Sequence, residues 1–390
     1  MNTIKLLIIC LLLTGTVISK AQEQELHLNP PQIIKNPYSH EMYSTENRKF
    51  TGIPSLAVSP GGRKWCVWYA GPSAGEDLNN YVVLSTSDYG GDTWKEVLVI
   101  DPDGPGKVRA YDPEIWIDPH GKLWVFWAQA KAHKDGTWAL VSEGTSAGVW
   151  ALKIDDPESV DPVWSPPFRI TDGVMMCKPT VLTNGEWTLP VSMWKKEPQH
   201  ARMVVSENEG RTWNVRGGAS VPDSARSFDE NSIVERKDGS LWMLIRTKYG
   251  IGESISTDRG FTWSPVIPSE ILHPAARFFI SRLNSGNLLL VKHGPVDVKT
   301  GRSHLMAFIS KDDGHTWTNG LLLDERKGVS YPDGQQLQDG TIFIIYDYNR
   351  TTDQNILLTS FSEDDILAGT DKKIIEVYRR RIIISKGRMK

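Results

Sequence analysis

Residues 238–263, DGSLWMLIRTKYGIGESISTDRGFTW, decide the fold of this chain. They open on a tight Asp-Gly turn and run through the apolar stretch 241–245. They then reverse and end in a polar turn closed by a tryptophan. Glycine takes the positive φ that a two-residue hairpin turn needs. A short unbroken apolar run suits a strand buried on both faces between packed sheets.

The first half of that stretch recurs along the chain. Turns of the same kind stand at Gly61-Gly62, His120-Gly121, Asn184-Gly185, Asp238-Gly239, Ser285-Gly286 and Asp339-Gly340. Their final glycines are 59, 64, 54, 47 and 54 residues apart. Apolar runs follow at 65–69, 123–127, 288–291 and 342–346. A hairpin repeat with a period near fifty points to propeller blades. The 15 tryptophans suit this reading, because blade-to-blade packing buries large flat side chains. No long apolar pattern of period 3.6 argues for an α/β alternative.

The second half recurs as well. Residues 256–263 and 310–317 fit S-x-D-x-G-x-T-W, residues 206–213 fit with Asn208 at the Asp position, and 86–94 fit with one extra residue. These are Asp-boxes. The Asp or Asn side chain closes a turn on backbone N–H groups, glycine supplies the turn and tryptophan plugs the blade. On that chemistry the box acids build turns and do no catalysis. Trp164, in Pro162-Val163-Trp164-Ser165, reads as a worn copy in the second blade. The expectation is an all-β, six-bladed β-propeller with Asp-box repeats. Its ring should close by pairing an N- or C-terminal segment into the last blade, near Ile33 and Ile34 or within 374–384.

Residues 1–21 read as a secretory signal peptide. Lys5 precedes the apolar run 6–13, and Ser19 and Ala21 stand at the −3 and −1 positions of a cleavage site. Residues 22–390 then form a single propeller domain, exported to the periplasm or the extracellular space. No other segment reaches the length of a membrane helix. Of the cysteines outside that leader, Cys66 and Cys177 read as buried small residues and not as a disulfide framework. A net charge of −3 gives no electrostatic footprint for nucleic acid. The nine histidines show no metal-ligand spacing, and there is no phosphate loop, so neither metal nor cofactor is expected.

Blade geometry predicts which residues meet. The start of each first strand, the end of each second strand and the loop from strand two to strand three share one face. The hairpin and Asp-box turns lie on the other. The functional face then gathers Tyr111-Asp112, Lys178, Asp229-Glu230, Arg246, Arg277 and Tyr331-Pro332-Asp333, with Glu76 and Asp77 in the first such loop and Arg302 in the fifth. Arginines suit a carboxylate, aromatics suit sugar faces and carboxyls suit acid–base work. Such a face fits an acidic glycan.

With these residues in place, the chain resembles the sialidase superfamily over essentially its whole length after the leader. The resemblance implies Tyr331, after Ser330, as nucleophile and Glu230 as its base. It implies Arg246 and Arg302 as two arginines of a carboxylate-binding triad. The acid/base carboxyl would lie in the first-blade loop, where Glu76 and Asp77 are both candidates. Sialidases open the first blade with Arg in an R-I-P motif, and here the stretch is Gly52-Ile53-Pro54. The first triad arginine is absent, leaving Arg277 or Arg109 to supply a third. Lys178, Asp112 and Asp333 complete the expected substrate-binding set. A neutral tyrosine nucleophile avoids the repulsion that a carboxylate would meet at a 2-keto sugar acid.

Each residue also has a structural reading. Tyr331 reads as a core tyrosine, Glu230 and Arg246 as an ion pair across a hairpin, Arg277 as the partner of a protein carboxylate, and Asp112 and Asp333 as caps of strand starts. The expected function is an exo-acting glycoside hydrolase on a terminal acidic sugar, led by sialic acid or a related 2-keto acid. A polysaccharide lyase or another glycosidase acting on uronate-containing glycans, and a non-catalytic carbohydrate-binding propeller, are the alternatives.

Overall fold

A computed structural model describes residues 26–87, 93–131, 147–194, 197–369 and 376–387. The leader and part of the first Asp-box lie outside the described residues, which form six sheets arranged as the blades of a propeller.

The innermost strands are Phe50–Val58, Val108–Ile117, the broken pair Val174–Met175 and Thr180–Val181, Arg226–Glu235, Phe279–Arg282 and Val329–Gln336. Each pairs antiparallel with the apolar strand after its glycine turn, for example Leu241–Thr247 in blade four. All six turn glycines take positive φ, between 79° and 94°. The apolar strands are almost wholly buried, as runs sandwiched between neighbouring blades must be.

The Asp-boxes are turns. In blade four, Asp258 Oδ1 accepts from Ser256 Oγ at 2.8 Å and from Thr262 N at 2.9 Å, while Oδ2 accepts from Thr262 Oγ1 at 2.6 Å. Asp312 and Asn208 repeat the pattern. The worn copy in blade two keeps its last step. Ser165 Oγ accepts from Lys153 N at 2.9 Å, as Ser264 Oγ accepts from Ile255 N in blade four.

Ring closure differs in detail from the expectation. Ile382–Ser385 does complete the last blade as its outer strand. Gln32–Lys35, with Ile33 and Ile34, joins the first blade instead, as a fifth, outermost strand beside Trp94–Asp101. The two end blades meet face to face. Asp333 Oδ2 accepts from Leu56 N at 2.9 Å, Gln335 and Val58 exchange two hydrogen bonds, and Arg350 O accepts from Thr51 N at 3.0 Å. Side chains, helped by one main-chain bond, therefore close the seam beside innermost strands that are already paired within their own blades.

One device aims side chains at the axis. Four innermost strands slip register, at Gly52/Ser55, Tyr111/Glu114, Arg226/Asn231 and Ser330/Asp333. The slipped residues take positive φ: Ile53 58°, Asp112 47°, Phe228 62°, Asp229 53° and Tyr331 52°. Such conformations cost a non-glycine residue about 1–3 kcal/mol and cluster at functional sites. Pro54, Pro113 and Pro332 follow three of them, where a missing N–H costs the ladder nothing. The bulge re-aims its residue, and the next one turns the other way.

Candidate active site

The bulges split the axis into two layers. The upper layer is a cavity of about 340 Å³ lined by Ile53, Glu76, Asp112, Met176, Trp194, Phe228, Glu230, Arg246, Arg302, Tyr331 and Arg350. These come from strand-one starts, strand-two ends and two-to-three loops, the positions that blade geometry assigns to one face.

At its centre Arg246 NH1 donates to Glu230 Oε1 at 2.5 Å and to the Tyr331 hydroxyl at 3.3 Å. All three are buried, with Tyr331 at 5% exposure. Glu230 Oε2 has no hydrogen-bond partner among the described residues. Burial works against the Arg246 charge, and Glu230 and Tyr331 outweigh it, so its pKa stands above the ordinary arginine value.

Two more guanidinium groups stand over the Tyr331 ring, Arg302 at 5.3 Å and Arg350 at 4.9 Å from its centroid. Arg302 NH1 donates to Ser330 Oγ at 3.1 Å. Arg350 Nε lies 3.8 Å from Asp347 Oδ2, an oxygen that also accepts from Ile53 N at 2.8 Å. Burial pushes the Asp347 carboxyl up to about 6 against the pull of Arg350 and that N–H.

Arg350 is the residue that sequence reasoning missed. It occupies the two-to-three loop of blade six, the same loop class that supplied Glu76 and Arg302, so the signal was available. It also accounts for Gly52. A Cβ on Gly52 would lie 2.3 Å from Arg350 Cδ and 2.4 Å from its Cγ. Gly52 does not take positive φ, so it is needed for room and not for backbone freedom. Neither Arg277 nor Arg109 fills the third position. Met176 and Phe228 were missed as well, being apolar residues with no motif of their own.

The lower layer is an ionic plug, and it absorbs several residues expected at the site. Lys178 Nζ donates to Glu114 Oε1 at 2.8 Å, to Asp333 Oδ2 at 2.6 Å, to Ser55 Oγ at 3.0 Å and to the carbonyls of Leu56 and Ile115. Arg277 NH2 donates to Glu114 Oε2 at 2.9 Å and lies 3.5 Å from Asp333 Oδ1. Ser55 donates to Asp333 at 2.7 Å and makes a short bond to Glu114. Glu114 and Asp333 follow the bulge prolines and so point below the cavity. Lys178 and Arg277 thus neutralise Glu114 and Asp333 under the cavity floor.

Two other expected residues also stand back from the cavity. Arg109 is fully buried, stacked 3.9 Å from the Tyr111 ring centroid, with NH2 3.5 Å from Glu76 Oε2, so it backs Glu76. Asp77 closes its own loop, accepting from Asn79 N at 2.8 Å. Of the two first-blade carboxyls only Glu76 lines the cavity. Cys66 and Cys177 are both free and buried. Among the described residues no group of three His, Cys, Asp or Glu side chains is arranged to hold a metal ion. No helix among them is long and apolar enough to cross a membrane.

The same architecture is present in glycoside hydrolases of known structure. The Hadza microbial sialidase Hz136 aligns with a TM-score of 0.65 at 20% identity, over 81% of this chain and 66% of its own length. The K499G mutant of NanB sialidase from Streptococcus pneumoniae aligns with a TM-score of 0.62 at 14% identity, over 87% and 71% of the two chains. The GH93 α-L-arabinofuranosidase of Fusarium graminearum, in complex with arabinobiose, gives 0.58 at 14% identity, over 87% and 99%. No curated protein matches the chain. At these identities the likeness is one of fold. The family whose model describes a BNR repeat-like domain matches residues 62–344, well over half of the sequence, and the chain belongs to that BNR repeat-like family.

Proposed function

We propose that this propeller is an exported, exo-acting glycoside hydrolase that removes a terminal acidic sugar by a retaining Tyr/Glu mechanism. The leader-like residues 1–21 support export. The observation that carries the activity is the buried Glu230–Arg246–Tyr331 cluster with two further guanidinium groups above the Tyr331 ring. Three arginines that converge on one small cavity repel one another unless an anion stands among them. Glu230 pairs with Arg246 at 2.5 Å, while Glu76 and Asp347 stand back at 3.7 and 3.8 Å from Arg350, so the cavity favours a carboxylate on the substrate.

In this mechanism the Tyr331 oxygen attacks the anomeric carbon and its proton passes to Glu230 Oε2. A neutral hydroxyl approaches the carbon beside a substrate carboxylate more easily than an anion would. Arg246, Arg302 and Arg350 hold that carboxylate, and a cavity carboxyl protonates the departing oxygen. Sialic acid and related 2-keto sugar acids carry a carboxylate on the anomeric carbon and fit this arrangement. Trp194 and Phe228 give the sugar ring an apolar wall.

A set of chromogenic glycosides, acidic and neutral, tests the reading. The acidic members should turn over and the neutral ones should not. Tyr331→Phe, which removes one oxygen, should lower kcat/KM by roughly a thousandfold while the melting curve stays put. Equal turnover of neutral and acidic glycosides, or a fully active Tyr331→Phe variant, refutes it.

A further inference from the structure

We infer that Asp112, and not Glu76, is the proton donor to the leaving group, an assignment that rests on reading this cavity as a glycosidase site. Both carboxyls line the cavity. Their surroundings differ in kind.

Glu76 stands between two guanidinium groups. Its Oε2 lies 3.5 Å from Arg109 NH2 and its Oε1 3.7 Å from Arg350 NH1. A donor carboxyl must present a hydroxyl to the glycosidic oxygen. Both oxygens of Glu76 instead face guanidinium N–H groups, which call for acceptors.

Asp112 forms no ion pair or hydrogen bond with the described residues through its side chain, and it is 3% exposed. The bulge ahead of Pro113 holds it at φ 47° on the cavity wall. The charged groups around it are Glu76 and Glu230, which oppose its ionisation, and Arg109 and Arg277, which favour it. Both arginines are already committed, Arg109 to Glu76 and Arg277 to Glu114. Burial first, and then the Glu76 charge, push the Asp112 carboxyl well above its usual range. A carboxyl so placed holds its proton more tightly than a solvated one, and two nearby carboxyls in unlike surroundings divide their roles.

The steps balance. As Tyr331 oxygen bonds to the anomeric carbon, the bond to the leaving oxygen breaks and its electron pair stays on that oxygen. Asp112 gives that oxygen its proton, and Glu230 takes the proton of Tyr331. In the second half Asp112, now a carboxylate, takes a proton from water as the water oxygen attacks the same carbon. Tyr331 leaves and recovers its proton from Glu230. The net change is one water consumed, with one free sugar and one alcohol released. Glu76 is left as a positioning residue that orients Arg350.

The test compares two glycosides of one acidic sugar, a nitrophenyl and an alkyl glycoside, in Asp112→Asn and Glu76→Gln. Nitrophenolate departs without protonation and an alkoxide does not. Asp112→Asn should lower kcat/KM for the alkyl glycoside by about a hundredfold or more, and for the nitrophenyl glycoside by less than about tenfold. Glu76→Gln should lower both by the same factor. Equal losses in Asp112→Asn overturn the assignment, as does a leaving-group-selective loss in Glu76→Gln. Should Asp112→Asn fail to fold, the Glu76→Gln ratio decides alone: an equal loss supports Asp112, a selective loss overturns it. A wild type inactive on both glycosides overturns the glycosidase reading itself, and this assignment with it.

Discussion

Gly52 leaves the room that Arg350 needs to stand over Tyr331. A single methyl at position 52 would stand 2.3 and 2.4 Å from the Arg350 stem and 3.0 Å from Asp347 Oδ2. Real Cβ atoms do not approach carbon so closely, so Gly52→Ala must push Arg350 out of its place over Tyr331. The backbone is not at issue, because Gly52 does not take positive φ. If Arg350 holds a substrate carboxylate, its displacement removes a charge-assisted hydrogen bond worth about 1.5–3 kcal/mol. That is roughly a ten- to hundredfold loss in kcat/KM for an acidic glycoside. Arg350→Ala should cost about the same. The double variant should cost no more than either single change, because the methyl then has nothing to displace. The cycle should therefore return a coupling close to the whole single-site effect. Gly52→Arg in the Arg350→Ala background goes further. It places a guanidinium where the sialidase R-I-P motif has one, into space just vacated, and should recover part of the activity. Steady-state assays on one acidic glycoside suffice, with melting curves to confirm folding. Additive losses in the double variant would refute the steric argument. An unchanged rate in Arg350→Ala would refute the role of the third arginine.

Other perturbations separate the two layers of the axis. Arg277→Met should destabilise the fold by about 3–5 kcal/mol, since it strips a partner from the buried carboxylates Glu114 and Asp333. Arg302→Met should instead lower turnover and leave the melting temperature nearly unchanged, and the reverse pattern would put Arg277 back at the site. Asp347→Asn reports on a pKa raised from 3.8 to about 6. Such a group stabilises the fold fully below about pH 4 and loses that contribution as pH rises through about 6. The Asn variant should accordingly gain stability relative to wild type between pH 4 and 7, by up to about 3 kcal/mol in denaturant titrations; a flat difference refutes the shift. Asp258→Ala should lower the melting temperature by a few degrees through lost turn hydrogen bonds and leave kcat/KM unchanged; a large loss of activity in folded protein would refute its place on the far face.

The fold was legible because its signals are local and repeated. A glycine turn needs positive φ and an Asp-box needs three side chains at fixed offsets, and both can be checked within ten residues of sequence. Ring closure was only half legible. The Gln32–Lys35 strand has the apolar character to pair with either end blade, and nothing local says which edge is open. Its place depends on Ile382–Ser385 having already covered the last blade.

The site was legible in angle around the axis but not in depth along it. Strand starts and loop classes put Tyr331, Glu230, Arg246, Arg302, Glu76 and Asp112 on one face, and they share one cavity. Lys178, Arg277 and Asp333 belong to the same strand starts, yet they lie a layer lower. What separates the layers is the bulge, and the bulge has a sequence mark. In Ile53-Pro54-Ser55, Asp112-Pro113-Glu114 and Tyr331-Pro332-Asp333 the residue before proline faces the cavity and the residue after it enters the plug. The proline marks where the ladder breaks: residues two apart share a face in a regular strand, and the bulge sends them opposite ways. The same three triplets therefore build both the chemistry and its floor. The three residues before proline bear the strain of positive φ, and those after it join the plug beneath, Glu114 and Asp333 by ion pairs and Ser55 by hydrogen bonds. A change in the plug should therefore reach the cavity through backbone only one residue away. Lys178 and Arg277, each facing carboxylates from blades two and six, tie the bulges of Asp112 and Tyr331 together.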